Sequence, residues 1–220
     1  MSAIWSEDNA FKLWLDVEIA ASQAWSDEGV VPAADMKKIR KNAKFDRAAY
    51  DRWFDETKHD IVSFTRAVGE SMGSEGRWIH HGLTSNDVKD TALSMQLAQS
   101  CDLLDRGLVE LLEALRVRAL EHKNTPCIGR SHGIHAEPMS FGMKLALWFA
   151  EMTRNRARLS AARDRVAVGM LSGPVGTFAS VPPVIEESVC KQLDLTPAAV
   201  SNQVIQRDRH AEYVLSLIHI

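Results

Sequence analysis

The sequence holds no run of about eighteen apolar residues, so no membrane-crossing helix is expected. Its first residues, MSAIWSEDNAFK, have neither a basic flank nor an apolar core, which argues against a secretory signal peptide. Cysteine is scarce. Cys101, Cys127 and Cys190 are scattered, with no CxxC pair and no even-numbered framework, and they read as reduced thiols of a cytoplasmic protein. Neither charge dominates: 26 Lys and Arg against 29 Asp and Glu leave a net charge of −3, without the basic footprint of a nucleic-acid binder. No GxSxG elbow, Walker loop or dinucleotide GxGxxG is present. What remains is ordinary for a soluble globular chain: 220 residues, 45% hydrophobic and 25% charged, enough for one large domain or two modest ones.

Helical patterns fill most of that length. Over residues 9–28, Phe11, Trp14, Val17, Ala21 and Trp25 recur at helical spacing, and Gly29 closes the run. Shorter helical segments are expected at 33–43, 46–57 and 60–72. From Thr84 to His122 there is no proline and the only glycine is Gly107. There Leu97, Cys101, Leu104, Leu108, Leu111 and Leu115 form a heptad seam. A helix of that length belongs in a bundle of long helices, with packing between subunits. A Gly-, Pro- and His-rich loop is expected at 123–138. A second long helix follows over about 139–168, with Phe141, Leu145, Trp148, Phe149, Met152 and Leu159 on one face. Residues 169–183 read as a loop, 184–193 as a short helix, and a last helix is expected from about Gln203. That last pattern has barely begun when the sequence stops, so the chain reads as the first part of a larger protein. The expected fold is all-α, with an N-terminal helical domain over 1–83 and the start of a long-helix bundle domain over 84–220.

Four stretches concentrate polar groups at loops or helix ends: KHDIVSF, WIHHGLTSND, GRSHGIHAEP and SNQVIQRDRH. In the second, Thr84 and Asp87 fit a capping box, the hydroxyl and the carboxylate each serving free N–H groups. One cap residue leaves other amides available, so the same helix start suits a carboxylate or phosphate. His80 and His81 are adjacent, and in an extended approach one packs while the other faces a site. His132 and His135 stand three apart, but no third ligand with committed geometry accompanies them, so no metal is expected. Lys58-His59-Asp60 reads either as a solvated helix entry or as part of a site. Gln203, Arg207 and Arg209, each taken alone, read as a solvated helix face.

Together, TKHDIVSFTRAVGE, WIHHGLTSNDVKDTAL, GRSHGIHAEPMSFGMKLALW, SGPVGTFA and NQVIQRDRHAEY resemble, in order and at fitting spacing, the adenylosuccinate lyases of the fumarase/aspartase superfamily. The resemblance covers nearly the whole chain. It implies a long-helix bundle of the fumarase/aspartase type and a homotetramer in which three subunits build each active site. It also implies a cofactor-free C–N lyase that releases fumarate from adenylosuccinate, giving AMP, and from the succinyl-carboxamide intermediate of purine synthesis. The physical demands agree. The proton leaves a carbon beside a carboxylate, so developing negative charge needs positive potential. The departing amine needs a proton from a positioned acid.

By that resemblance His132 is the general acid and His59 a second catalytic histidine. Lys58 and Asp60 match a nucleotide-binding stretch, and His80, Thr84, Ser85, Ser131 and Gln203 match substrate-binding positions. Ser131 stands where threonine is commoner. Lys58 stands where arginine is often found, which keeps the charge but loses the bidentate fork. The family's Ser-Ser-x-Met-Pro-x-Lys-x-Asn loop, which carries the base, is absent from these 220 residues, so they are expected to be inactive alone. An Arg-Tyr pair usual just before this starting point is also absent, and the ending LSLIHI does not follow the family's helix. Two other readings stay open. One is a non-catalytic helical oligomerisation fragment. The other is a different fumarate-releasing member of the superfamily, such as an argininosuccinate lyase.

Overall fold

A computed structural model describes residues 1–218; His219 and Ile220, at the end of the LSLIHI stretch, lie outside the described residues. Its contacts group residues 1–99 and 166–207 into one compact unit, and residues 100–165 and 208 onward into another.

The first unit opens with α1 (Glu7–Asp27), capped where the Ser6 hydroxyl accepts the Asn9 N–H at 3.2 Å. Phe11, Val17, Ala21 and Trp25 of the expected stripe are buried, and Gly29, at φ 78°, ends the run. Three short helices follow near their expected places: α2 (Ala33–Asn42), α3 (Arg47–Thr57) and α4 (Asp60–Glu70). Phe11 is the hub of their core, stacked on Phe45 at 4.3 Å and on Phe64 at 6.1 Å between ring centroids.

The uninterrupted pattern from Thr84 becomes α5 (Ser85–Glu121), 37 residues and so roughly 55 Å long. Its first fifteen residues belong to the first unit, because Val88 and Ala92 are buried with Leu13, Val17 and Ile61. By contacts alone, the division between the two compact units falls inside α5, after Gln99. The unit is completed by residues 166–207. A two-residue parallel pair joins β3 (Val168–Gly169) to β4 (Thr196–Pro197), and α7 (Pro183–Gln192) lies between them in sequence.

The second unit holds the rest of α5 and two findings that sequence patterning missed. The expected loop at 123–138 is an antiparallel hairpin of β1 (Pro126–Ser131) and β2 (Ile134–Ser140), with a register shift at Gly129. The final helix, α8 (Asp208–Leu217), starts five residues after Gln203, beyond a stretch in which the Ile205 N–H donates to the Asp90 carboxylate at 2.8 Å. Between hairpin and α8 runs α6 (Phe141–Val166). Paired Arg–Asp contacts tie α6 to α5: Arg156 to Asp105 at 2.6 Å and Arg163 to Asp102 at 2.5 Å. The seam is only partly covered. Cys101, Leu108, Leu115, Leu145 and Leu159 are buried, while Leu111 and Trp148 are 43% and 45% exposed. The fold is mostly helical, as expected, with two two-stranded sheets among the described residues. Among the described residues no helix is long and apolar enough to cross a membrane.

Candidate active site

In the first unit Thr84 and Ser85 stand at the start of α5, Asp60 meets Lys89 one turn further on, and His80 acts electrostatically on Asp87, whereas Lys58, His59 and Gln203 take no part in these contacts. Helix geometry leaves the first N–H groups of α5 without intrahelical acceptors. Half of the expected capping box forms: the Thr84 N–H donates to Asp87 Oδ2 at 2.8 Å. Asp87 does more than cap. Its Oδ1 accepts the Gly173 N–H at 3.2 Å, clamping the SGPVG loop to the helix start. Burial pushes the Asp87 carboxyl up to about 6, against lowering by the backbone N–H groups of Thr84, Gly173 and Ser172 and by His80. Thr84 and Ser85 are half-buried beside it.

His80 and His81 go separate ways, but not through an extended strand. His80 lies in the left-handed region at φ 65°, and Gly82 follows at φ 77°. His81 is exposed and makes edge contacts with the rings of Trp25 and Trp78. The His80 N–H donates to Glu18 Oε2 at 2.7 Å, and its Nδ1 lies 2.7 Å from Glu18 Oε1. Since a carboxylate accepts, Nδ1 carries the hydrogen. Burial lowers the affinity of His80 for a second proton, but Glu18 and Asp87 together outweigh burial and raise the imidazole above its ordinary value.

Lys58 ends α3 in the left-handed region at φ 50°, exposed, with Nζ 3.2 Å from Asp55. His59 is the N-cap of α4, its Nδ1 accepting the Val62 N–H at 3.4 Å, and half of its side chain is exposed. Asp60 Oδ2 accepts from Lys89 Nζ at 2.6 Å. Burial raises the Asp60 carboxyl, yet the Lys89 ammonium and the Ile61 N–H together hold it below the usual carboxylate range. Gln203 is exposed, two residues before Ile205, whose N–H is held by Asp90.

Ser131 and His132 belong to the second unit, where they form one side of the hairpin tip. Ser131 pairs with Ile134, so His132 and Gly133 are the two turn residues, at φ 53° and 76°. Positive φ at both positions is the type I′ signature that suits the right-handed twist of a hairpin. Histidine tolerates the left-handed region better than most side chains. His132 is thus presented to solvent on a short, defined turn.

Sequence reasoning missed Glu18, Lys89, Asp90 and Glu186. For Glu18 a signal existed: positions 11, 14, 18, 21 and 25 keep heptad spacing, so a carboxylate sits in an apolar stripe. Asp87, Asp90, Thr91 and Ser94 are likewise a buried polar stripe along α5. Thr91 Oγ1 donates to the Met170 carbonyl at 3.0 Å and accepts the Met170 N–H at 3.1 Å. Glu186 accepts the Leu171 N–H at 2.7 Å, and burial raises its carboxyl. No group of three or more potential metal ligands occurs among the described residues.

Long helices whose ends carry these polar loops define a mostly helical protein of the fumarase/aspartase type. The chain belongs to the lyase family, whose family model matches residues 1–220. It is 49% identical over 217 residues to adenylosuccinate lyase of Bacillus subtilis strain 168, covering 99% of this chain and 50% of that protein. The chain thus spans about half the length of that curated relative. Among solved structures it is similar to a fumarate lyase from Mesorhizobium sp. BNC1, with a TM-score of 0.91 at 26% identity, covering 99% of this chain and 53% of the other. A 3-carboxy-cis,cis-muconate lactonizing enzyme from Pseudomonas putida is as similar in fold, with a TM-score of 0.91 at 30% identity, covering 99% of this chain and 52% of the other.

Proposed function

We propose that these residues are the N-terminal part of a C–N lyase that cleaves adenylosuccinate to AMP and fumarate. The same site would release fumarate from the succinyl-carboxamide intermediate of purine synthesis. The near-50% identity across the chain to an adenylosuccinate lyase carries this reading.

In the proposed reaction a base removes a proton from the carbon beside a carboxylate, the C–N bond breaks, and its electron pair leaves with the amine. His132 protonates that amine, and His59 assists by charge or orientation. The anionic groups of the substrate lie against Thr84, Ser85 and His80 at the positive end of α5. Ser131 and Gln203 bind substrate, while Lys58 and Asp60 serve its nucleotide part. The base comes from residues outside these 220, so the chain alone turns nothing over. The reading includes a cytoplasmic homotetramer with shared sites and no cofactor, its bundle domain beginning near residue 84.

A chimera tests this, with residues 1–217 replacing the matching half of the B. subtilis relative. Fumarate release from adenylosuccinate is expected, and His132→Asn, which suits the type I′ turn but supplies no acid, should slow it ~10²-fold or more. A folded chimera that ignores adenylosuccinate but cleaves argininosuccinate would overturn the substrate. Full activity of the Asn variant would remove His132 as the acid.

A further inference from the structure

Glu18 is fully buried, at 0% exposure, in the middle of the apolar stripe of α1. A lone carboxylate there costs several kcal/mol unless it is fully hydrogen-bonded. Both of its oxygens are taken by one residue, His80, through the backbone N–H and through Nδ1, each at 2.7 Å. His80 itself is bent into the left-handed region at φ 65°, a conformation that costs a non-glycine residue about 1–3 kcal/mol unless its surroundings enforce it. The turn that results places His80 four residues before Thr84, with the Leu83 N–H donating back to the His80 carbonyl at 3.3 Å.

We infer that Glu18 is a positioning residue that holds the His80 ring by its Nδ1–H, so that in the imidazolium Nε2–H is the donor left for an anionic group of the substrate at the start of α5. The inference rests on the reading of that helix start as an anion site. A carboxylate behind a histidine fixes its tautomer and favours the imidazolium. A packing role alone would not call for a charge at this position. The cation also answers a local problem. Asp87 already puts an acidic group at the positive end of α5, and Glu186 is a further acid whose charge Asp87 disfavours. Against these, the protonated His80 supplies the positive charge that a second anion needs. Lys89, one turn into α5, is engaged by Asp60.

The ¹⁵N-histidine-labelled 220-residue chain gives the test, with each imidazole followed by two-bond ¹H–¹⁵N spectra against pH and His80→Gln used for assignment. In the wild type, His80 should titrate above the ordinary histidine value, keep its hydrogen on Nδ1 when neutral, and respond to inorganic phosphate and to fumarate. Glu18→Gln should lower the His80 midpoint, mix the tautomers and weaken phosphate binding about tenfold, the scale of one charge-assisted hydrogen bond. Glu18→Asp should recover part of each effect. An unchanged midpoint and tautomer in a folded Gln variant overturns the proposal. So does a wild-type His80 that titrates at or below the ordinary value, which decides the matter even where the Gln variant does not fold. Neither probe moving wild-type His80 overturns the anion reading of α5 and the proposal with it. A probe response that survives loss of the carboxylate overturns the proposal alone.

Discussion

Asp87 shows how much one buried carboxyl weighs at the start of a long helix. Its carboxyl sits at about 6 in the fold against an ordinary 3.8, so between those values the folded chain holds a proton that the unfolded chain has lost. Stability from this group is present below about pH 4 and is lost as pH rises through 6. The shift is about two units, 6 less 3.8, which corresponds to roughly 3 kcal/mol. Asp60 acts in the opposite sense. Its lowered value adds stability above the ordinary carboxylate range and loses it as pH falls. Urea midpoints of the wild type and of Asp87→Asn, measured from pH 4 to 7, separate the two. The wild type should lose stability relative to the variant as pH rises from 4 to 6. A constant difference would show that Asp87 ionises as an ordinary carboxylate.

Elements are shaped here by glycines that do opposite work. Gly82, at φ 77°, precedes α5, and a Cβ built there would lie 2.7 Å from the Ser180 carbonyl oxygen. Gly107 lies within α5 in open space, and a Cβ added to it would meet nothing within 4 Å. Gly82→Ala should therefore cost about 1–3 kcal/mol, while Gly107→Ala should add up to about 1 kcal/mol by helix propensity. Paired denaturation curves measure both. Equal small effects would mean that the turn before α5 relaxes freely. The hairpin makes a related point about legibility. Ser-His-Gly-Ile read as a loop because glycine and proline crowd the stretch. Yet a two-residue turn with His-Gly at its centre closes a register from Pro126–Ser140 to Ser131–Ile134. The strands were hidden because β2 lies mostly in solvent and the half-buried alternate positions of β1 are Cys127 and Gly129, too few and too small to leave an apolar alternation in the sequence.

At the scale of the whole molecule, exposed apolar side chains mark what the proposed assembly would cover. Met143 and Leu147, one turn apart on α6, are 66% and 64% exposed, and Val109 and Leu111 on α5 are each 43% exposed. Rows of this kind on long helices mark interaction surfaces. The tetramer reading predicts an apparent mass above that of one chain, rising with concentration in light scattering, and reduced by Met143→Lys with Leu147→Lys. A monomer at every concentration would remove the evidence for self-association.

Much of the architecture was legible beforehand. Helical period, glycine punctuation and the proline-free stretch placed α1 to α7 within a few residues, because those signals are local and repeat over many turns. The motif stretches likewise drew attention to residues 58–60, 80–85 and 131–132. Tertiary structure decided what local patterning has no means to encode. It paired Glu18 with His80 across 62 positions and Lys89 with Asp60 across 29. It gave the Asp90 carboxylate to the Ile205 N–H across 115 positions. It also drew the first turns of α5 into the short-helix unit. Two of these, Glu18 with His80 and Asp90 with Ile205, turn on a buried carboxylate finding its partner. The cost of leaving such a group unpaired is set by surroundings that form only when distant segments meet.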